Sequence, residues 1–168
     1  MIYRGNTADH DWAAHLGAEV YASLGNYAQI LSAWLDQPGV SLWIEGRAEG
    51  DRRGLAMLGY VADEAGQVVA DLLALAVEPA WQRRGIGGAL LAHVIRVAER
   101  SAGALGVERL GLTVVHDNWV GRRMYERAGF VVADAEVGSY AGGQRAVHMV
   151  RPLRADGAAW PRTLTARP

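Results

Sequence analysis

Hydrophobic and polar positions along this chain alternate between two periods, and the switches between them mark the elements. Over residues 40–47 the period is two, with Leu42 and Ile44 on one face, which predicts a half-buried strand after the Pro38-Gly39 turn. Residues 68–77, VVADLLALAV, are almost continuously apolar, with Asp71 as the one charge. Such a run fits a strand covered on both faces, and the flanking turns favour a strand over a buried helix. From Ile86 to about residue 101 the spacing becomes three and four. Ile86, Leu90, Val94 and Val97 trace one face and His93, Arg96 and Arg100 another, which predicts a surface helix.

Turn and cap signals fill in the rest. A first strand is expected at 1–4, helices at 9–22 and 27–35 broken at Gly25-Asn26, and a strand at 54–62 joined to 68–77 as a hairpin through the DEAG turn at 63–66. Gly103 and Gly106 end the long helix, and 107–115 returns as a strand. Asp117 or Asn118 caps a helix reaching residue 128. Strands at 130–137 and 146–151, separated by the glycine-rich SYAGGQ turn, close the sheet. Strand, helix and strand across 68–115 imply a right-handed crossover between parallel strands, hence an α/β (α+β) fold. No internal repeat is visible.

The run LAVEPAWQRRGIGGALL, Leu75 to Leu91, carries the chemistry. It orders an apolar strand, an Arg-rich turn and glycines that open an amphipathic helix. Glycine lets backbone N–H groups approach a ligand closely, and the unpaired amides at a helix start attract anions. Arg83 and Arg84 add full charges. A dinucleotide fingerprint starting at Gly85 would need Gly or Ala where Leu90 stands, and a Walker loop needs a lysine the chain lacks. What remains is Q-x-x-G-x-G, as Gln82, Gly85 and Gly87. About thirty residues on follow Asn118, Gly121, Tyr125 and Gly129-Phe130 in DNWVGRRMYERAGF.

These two motifs together resemble the GNAT acetyltransferase family over roughly residues 54–152, with Gly121 in place of the usual Ala. The resemblance implies a central mixed, mostly antiparallel twisted sheet of six to seven strands, flanked by about four helices, with splayed central strands. It implies acetyl-coenzyme A as donor, its pyrophosphate held by Gln82, Arg83, Arg84, Gly85, Ile86, Gly87, Gly88 and Ala89. The pantetheine arm would add like a strand to the backbone of Leu75, Ala76 and Val77, with Asn118 and Tyr125 completing the site. Tyr125 corresponds to the family tyrosine that donates a proton or hydrogen bond to the departing sulfur; helix packing is the other reading of that residue. An ordinary tyrosine near pKa ~10 stays protonated at neutral pH, and giving its proton to a thiolate near ~8.5 is modestly uphill.

An acceptor amine must also lose a proton before it attacks. Asp71, eleven positions before Gln82, matches the strand glutamate that serves as base in histone-type relatives, one methylene longer. Burial would raise its pKa and suit it to the task, unless it simply faces water. His116 and Glu78 are weaker candidates. The ribosomal N-terminal branch shows Glu-Val-Arg before its Asn, where this chain has Thr113-Val114-Val115. Arg122 and Arg123 either reach the nucleotide 3′-phosphate or form a solvated face. Tyr21, Tyr27, Trp34 and Tyr140 either line an acceptor pocket, holding a cationic amine by cation–π contact, or pack the core.

The expected activity is therefore N-acetyl transfer to a primary amine, a small molecule or a peptide, by direct attack in a ternary complex. The alternatives are an inactive acyl-coenzyme A binding module that regulates or docks, and a phosphate-binding protein unrelated to coenzyme A. The 168 residues suit a single domain, assigned to 1–152, followed by a tail at 153–168 around a lone Trp160. A 51% apolar fraction without any run approaching a membrane span of ~18 residues predicts a soluble chain with no membrane partner. A net charge of −1 and no long basic run argue against nucleic-acid binding. No secretory pattern opens the sequence, so a cytoplasmic location is expected. The absence of cysteine excludes disulfides and thiolate catalysis, and five histidines without an i,i+4 pair predict no metal. All 17 basic residues are arginine, which genomic base composition can explain; autoacetylation is thereby confined to the terminal amine or a hydroxyl. A homodimer is compatible with all of this.

Overall fold

The computed structural model of the chain describes residues 1–47, 50–62 and 66–153. Its elements are β1 (Ile2–Arg4), α1 (His10–Val20), α2 (Tyr27–Leu35), β2 (Val40–Arg47), β3 (Asp51–Ala62), β4 (Val68–Val77), α3 (Ile86–Leu105), β5 (Arg109–Val115), α4 (Trp119–Arg127), β6 (Val131–Ser139) and β7 (Arg145–Pro152). The tip of the expected DEAG turn, at 63–65, and the tail from 154 with Trp160 lie outside the described residues. Leu153, assigned to the tail, is buried in the core and donates its N–H to the Glu108 carbonyl.

The strands form one seven-stranded sheet in the order β1-β2-β3-β4-β5-β7-β6. All neighbours pair antiparallel except β4 and β5, which run parallel. That parallel contact is short. Ala70, Asp71 and Leu72 match Leu110, Gly111 and Leu112, and beyond them the two strands part, leaving a fork in the middle of the sheet. One face is covered by α3 and α4, over a core including Leu58, Leu90, Val94, Leu110, Phe130 and Met149. The other face is covered over β2–β4 by α1 and α2, with Leu16, Leu31, Ile44 and Leu55 at its centre.

Differences from the sequence reading have local causes. β3 begins at Asp51 because Arg52 and Arg53 are tied down there, Arg52 to the buried Asp9 at 2.8 Å and Arg53 to Asp51 at 2.6 Å. Paired charges let a strand continue past its apolar stretch. α3 runs on through Gly103 and stops at Gly106, whose φ of +66° is the left-handed turn that ends helices. The buried stripe of α3 continues through Ala98 and Ala102, while Val97 only packs against its edge. Two single-turn 3-10 segments, Thr7–Asp9 and Pro79–Trp81, lacked any periodic signal.

The apolar run of β4 conceals a bulge. Met57 pairs with Ala74 and Leu58 with Leu72, so Leu73 is an extra residue on β4. Ala70 and Leu72 belong to the α3-side core, as do Leu75 and Val77, whereas Ala74 and Ala76 belong to the α1-side core. The bulge has reversed the alternation. Gly59 makes room for it, since a Cβ there would stand 2.8 Å from the Leu73 side chain.

Candidate active site

At the end of β4 the chain passes Glu78, makes the Pro79–Trp81 turn and enters α3 through Gln82, Arg83, Arg84 and Gly85. Arg83 has φ +62°, the only positive φ of a non-glycine residue among those described, and Gly85 has φ +83°. A side chain in the left-handed region costs roughly 1–2 kcal/mol. Left-handed residues in such a turn aim successive N–H groups into one concavity, a backbone nest suited to an anion. Gly85 caps α3 without a side-chain hydrogen bond, and nothing lies within 4 Å of where a Cβ would sit at Gly85 or Gly88. The start of α3 is therefore open on the Cβ side of these two glycines. A Cβ on Gly87 would come 3.6 Å from Met124 Sδ and 3.7 Å from Val77, so this glycine faces the gap between α3, α4 and the end of β4.

The side chains around the nest have divided roles. Gln82 turns back and donates its amide to the Val77 carbonyl at 3.0 Å, bracing the loop rather than facing outward. Arg84 and Arg53 both lie over Trp81, at 4.8 and 4.5 Å from the ring centre. Arg83 instead borders a groove of about 860 Å³ between α3 and α4 that also meets Gly88, Arg96, Arg123 and Arg127. Arg122 does not join it; its guanidinium donates to the His116 carbonyl at 3.0 Å and stacks on Trp119.

The fork between β4 and β5 opens into a cavity of about 430 Å³, walled by Leu72 to Leu75, Leu112 to Val115, Asn118, Tyr125, Tyr21, Tyr27 and Tyr140. Asn118 caps α4 by accepting from the Gly121 N–H at 3.0 Å. A Cβ on residue 121 would stand 2.8 Å from the Asn118 side chain, so Gly121 is the residue that leaves this cap room. Tyr125 projects from α4 with its ring edge-on to Phe130 at 5.9 Å, and burial pushes its phenol up to about 12. Burial, aided by neighbouring Tyr27 and Tyr125, likewise holds Tyr140 well above the usual phenol range.

The structure gathers most of the sequence-picked residues and separates a few. Leu75 lines the fork cavity and Val77 packs on the α3-side core beside Gly87, whereas the Ala76 side chain is buried in the α1-side core and leaves only backbone to offer. Tyr21, Tyr27 and Tyr140 line the cavity. Trp34 does not; it stands behind Tyr27, edge-on at 6.4 Å. Asp71 lies one residue below the fork, in an adjacent cavity of about 470 Å³ that Tyr125 does not reach. There its Oδ1 is buried without a hydrogen-bond partner. Burial raises its carboxyl, and His148 pulls it back in part. His148 escaped the sequence reading because it comes from β7, opposite Thr113. Both groups crowd the space over Gly111, where a Cβ would be 2.9 Å from His148 Nε2 and 3.0 Å from Asp71 Oδ1. The weaker candidates are engaged elsewhere, Glu78 by the Trp12 indole at 3.0 Å and His116 by Asp117 at 2.6 Å. Among the described residues no group of three His, Asp or Glu side chains could hold a metal ion, and no helix is long and apolar enough to cross a membrane.

Comparison with known proteins agrees with this architecture. In sequence, the chain is 40% identical over 89 residues to a mycothiol acetyltransferase of Propionibacterium freudenreichii subsp. shermanii, a match covering 52% of this chain and 27% of that protein. The chain thus spans about a quarter of the length of the curated relative it matches. Among solved structures the fold is shared with Arabidopsis thaliana NAA60 in complex with acetyl-CoA, at TM-score 0.72 and 16% identity over 90% of this chain and 97% of that one. It is also shared with the ribosomal-protein-S18-alanine N-acetyltransferase of Escherichia coli, at TM-score 0.65 and 24% identity over 95% and 99%. The family model for the acetyltransferase (GNAT) family matches residues 8–130, spanning α1 to the start of the last hairpin and including both the nest and Tyr125. With that match over most of its length, this chain belongs to the acetyltransferase (GNAT) family.

Proposed function

We propose that this chain is an acetyl-coenzyme A dependent N-acetyltransferase that passes the acetyl group directly to a primary amine in a ternary complex. One observation carries the reading: a single strand, β4, links the Tyr125 cavity to the nest at Arg83 and Gly85, and its edge is unpaired with β5 beyond Leu72. A donor with a diphosphate at one end and an extended amide-bearing arm at the other fits that line. The start of α3 would hold the diphosphate, and the edge at Leu75 to Val77 would take the arm as an added strand. Arg83 and Arg123 in the groove offer charge to further phosphate. The relative named a mycothiol acetyltransferase supports an acetyl donor as far as its 89 matched residues go.

Three residues would divide the chemistry. Tyr125 keeps its proton at neutral pH and offers a hydrogen bond to the sulfur as the carbon–sulfur bond breaks. Asp71, with a raised carboxyl at the closed end of the fork, would take the ammonium proton through intervening water. Asn118 holds the first turn of α4, and with it Tyr125, against the cavity. Tyr27 and Tyr140, which line the cavity, would offer rings and hydroxyls to the acceptor.

Release of free thiol from acetyl-coenzyme A, followed with a panel of amino acids, polyamines and peptide N-termini, tests the reading. Release stimulated by an amine, with the acetylated amine found by mass spectrometry, is expected. Tight binding with no stimulated release would identify a binding module instead.

A further inference from the structure

The aromatic residues near the fork would be read from sequence as ring surfaces for the acceptor, but Tyr21 is engaged through its hydroxyl. That oxygen accepts the N–H of Leu75 at 2.9 Å and donates to the carbonyl of the same residue at 2.7 Å. One phenol therefore closes both backbone groups of the residue three positions past the last β4–β5 pair. Buried backbone groups need partners, and at a forked strand the neighbouring strand cannot supply them. Here a side chain from the end of α1 does so.

We propose that Tyr21 is a positioning residue of the donor site, whose hydroxyl stands on Leu75 in place of the donor's amide arm and is exchanged for it when the donor binds. The inference rests on the donor reading above, because it is the arm laid along β4 that would need the groups Tyr21 holds. Where the phenol oxygen meets the Leu75 N–H is where a carbonyl oxygen of the donor would sit. Tyr21, its ring centre 4.7 Å from that of Tyr27, stands where the chain leaves the helix. It is the C-terminal cap of α1, with φ −107° and ψ 17°, and opens a turn running to Gly25 at φ +149°. That turn is held from outside by the β6–β7 hairpin tip, through Gly142 N–H to the Leu24 carbonyl at 3.1 Å and Gln144 to the Ser23 carbonyl at 2.8 Å. Residue 142 must be glycine for this approach, since a Cβ would collide with the Ser23 oxygen. The two segments that wall the cavity are thus hydrogen-bonded to each other, and the Tyr21 phenol reaches from the first of them to the Leu75 backbone.

Tyr21→Phe tests the exchange, with Tyr21→Leu beside it and thermal melts to verify folding. In the unliganded protein the Leu75 amide, followed by hydrogen exchange, is protected in the wild type and exchanges faster in both variants. Calorimetry with coenzyme A is expected to show roughly 5- to 30-fold tighter binding by Tyr21→Phe, the equivalent of about 1–2 kcal/mol for hydrogen bonds that no longer have to be broken. Unchanged or weaker coenzyme A binding overturns the proposal, as does a Leu75 amide that exchanges equally fast in wild type and variant. If neither wild type nor variant binds coenzyme A while the Leu75 amide still responds to the substitution, the proposal falls with the donor reading, and the exchange data show that the Tyr21 contact itself was correct.

Discussion

Tyr125→Phe removes one hydroxyl and leaves the ring against Phe130. From the ordinary phenol value, proton transfer to a thiolate near ~8.5 looked modestly uphill, but burial lifts Tyr125 to about 12. The buried phenol is a much weaker acid than an ordinary thiol, so full transfer to the thiolate is uphill. In the proposed mechanism the hydroxyl would then act by hydrogen-bonding the developing thiolate rather than by surrendering its proton. A hydrogen bond to a charged partner contributes about 1.5–3 kcal/mol, so kcat falls roughly 10- to 150-fold in the variant. The interaction forms only as charge builds on sulfur, so coenzyme A affinity stays within about twofold. Steady-state kinetics with the best amine from the panel, paired with calorimetry, measures both quantities. The wild-type kcat profile also lacks an alkaline limb near pH 10, because the phenol stays protonated past that point. Equal losses of kcat and affinity would make Tyr125 a packing residue. A limb near pH 10 that disappears in the variant would refute the burial argument.

Gly87→Asp sets a carboxylate in the gap facing Met124 and Val77 and abolishes coenzyme A binding by calorimetry; retained affinity removes the nest from the donor site. Gly85→Ala forces a Cβ into φ +83° with open space around it, so melting shows a loss of about 1–2 kcal/mol attributable to backbone strain alone. Asp71→Asn loses activity at neutral pH and regains part of it in alkali, where the amine deprotonates unaided; a wild-type pH–rate profile excludes Asp71 from the mechanism. The same variant reports on stability. A carboxyl raised in the folded state favours folding most below its ordinary value of 3.8, and that contribution is lost as pH rises through the folded value. The Asn variant therefore melts above the wild type at neutral pH and the gap closes in acid, as thermal scans across pH will reveal.

The periodic segments were legible because their cause is local. Residues 27–35, 40–47 and 68–77 follow directly from turn signals and apolar spacing, and their bounds match α2, β2 and β4. The strand, turn and helix order at 75–91 was legible too, since Pro79 and the glycines at 85, 87 and 88 interrupt the apolar run before the helical spacing of α3 begins. What escaped depends on contacts made across the fold. The Leu73 bulge leaves no trace in a run apolar on both faces, because reversing the alternation there exchanges one hydrophobic side chain for another. Asp71 could be singled out as a lone charge in β4, yet its neighbour His148 is brought to it by a strand 77 positions later. Tyr21 was visible as an aromatic residue near the end of the first helix, but the bond of its hydroxyl to Leu75 is set by where α1 ends over the fork. Trp34 shares its composition signal and sits one layer further out.

The short β4–β5 contact also bears on how the molecule holds together. Among the described residues, three residue pairs join β1–β4 to the ladder of β5, β7 and β6, so the sheet consists of two sub-sheets hinged at one end. α3 is the clasp, its Leu90 and Val94 sharing a core with Leu58 on one side and with Leu110 and Met149 on the other. Opening of the fork is then a sub-global fluctuation, distinct from fraying at either edge of the sheet. A ligand laid along β4 supplies the missing rungs, and it tightens the hinge by mass action for as long as it stays bound. On the proposed reading, each turnover would begin with the two halves coupled and end with them loosened, so that the break in the ladder admitting the donor would also be a seam along which the sheet opens.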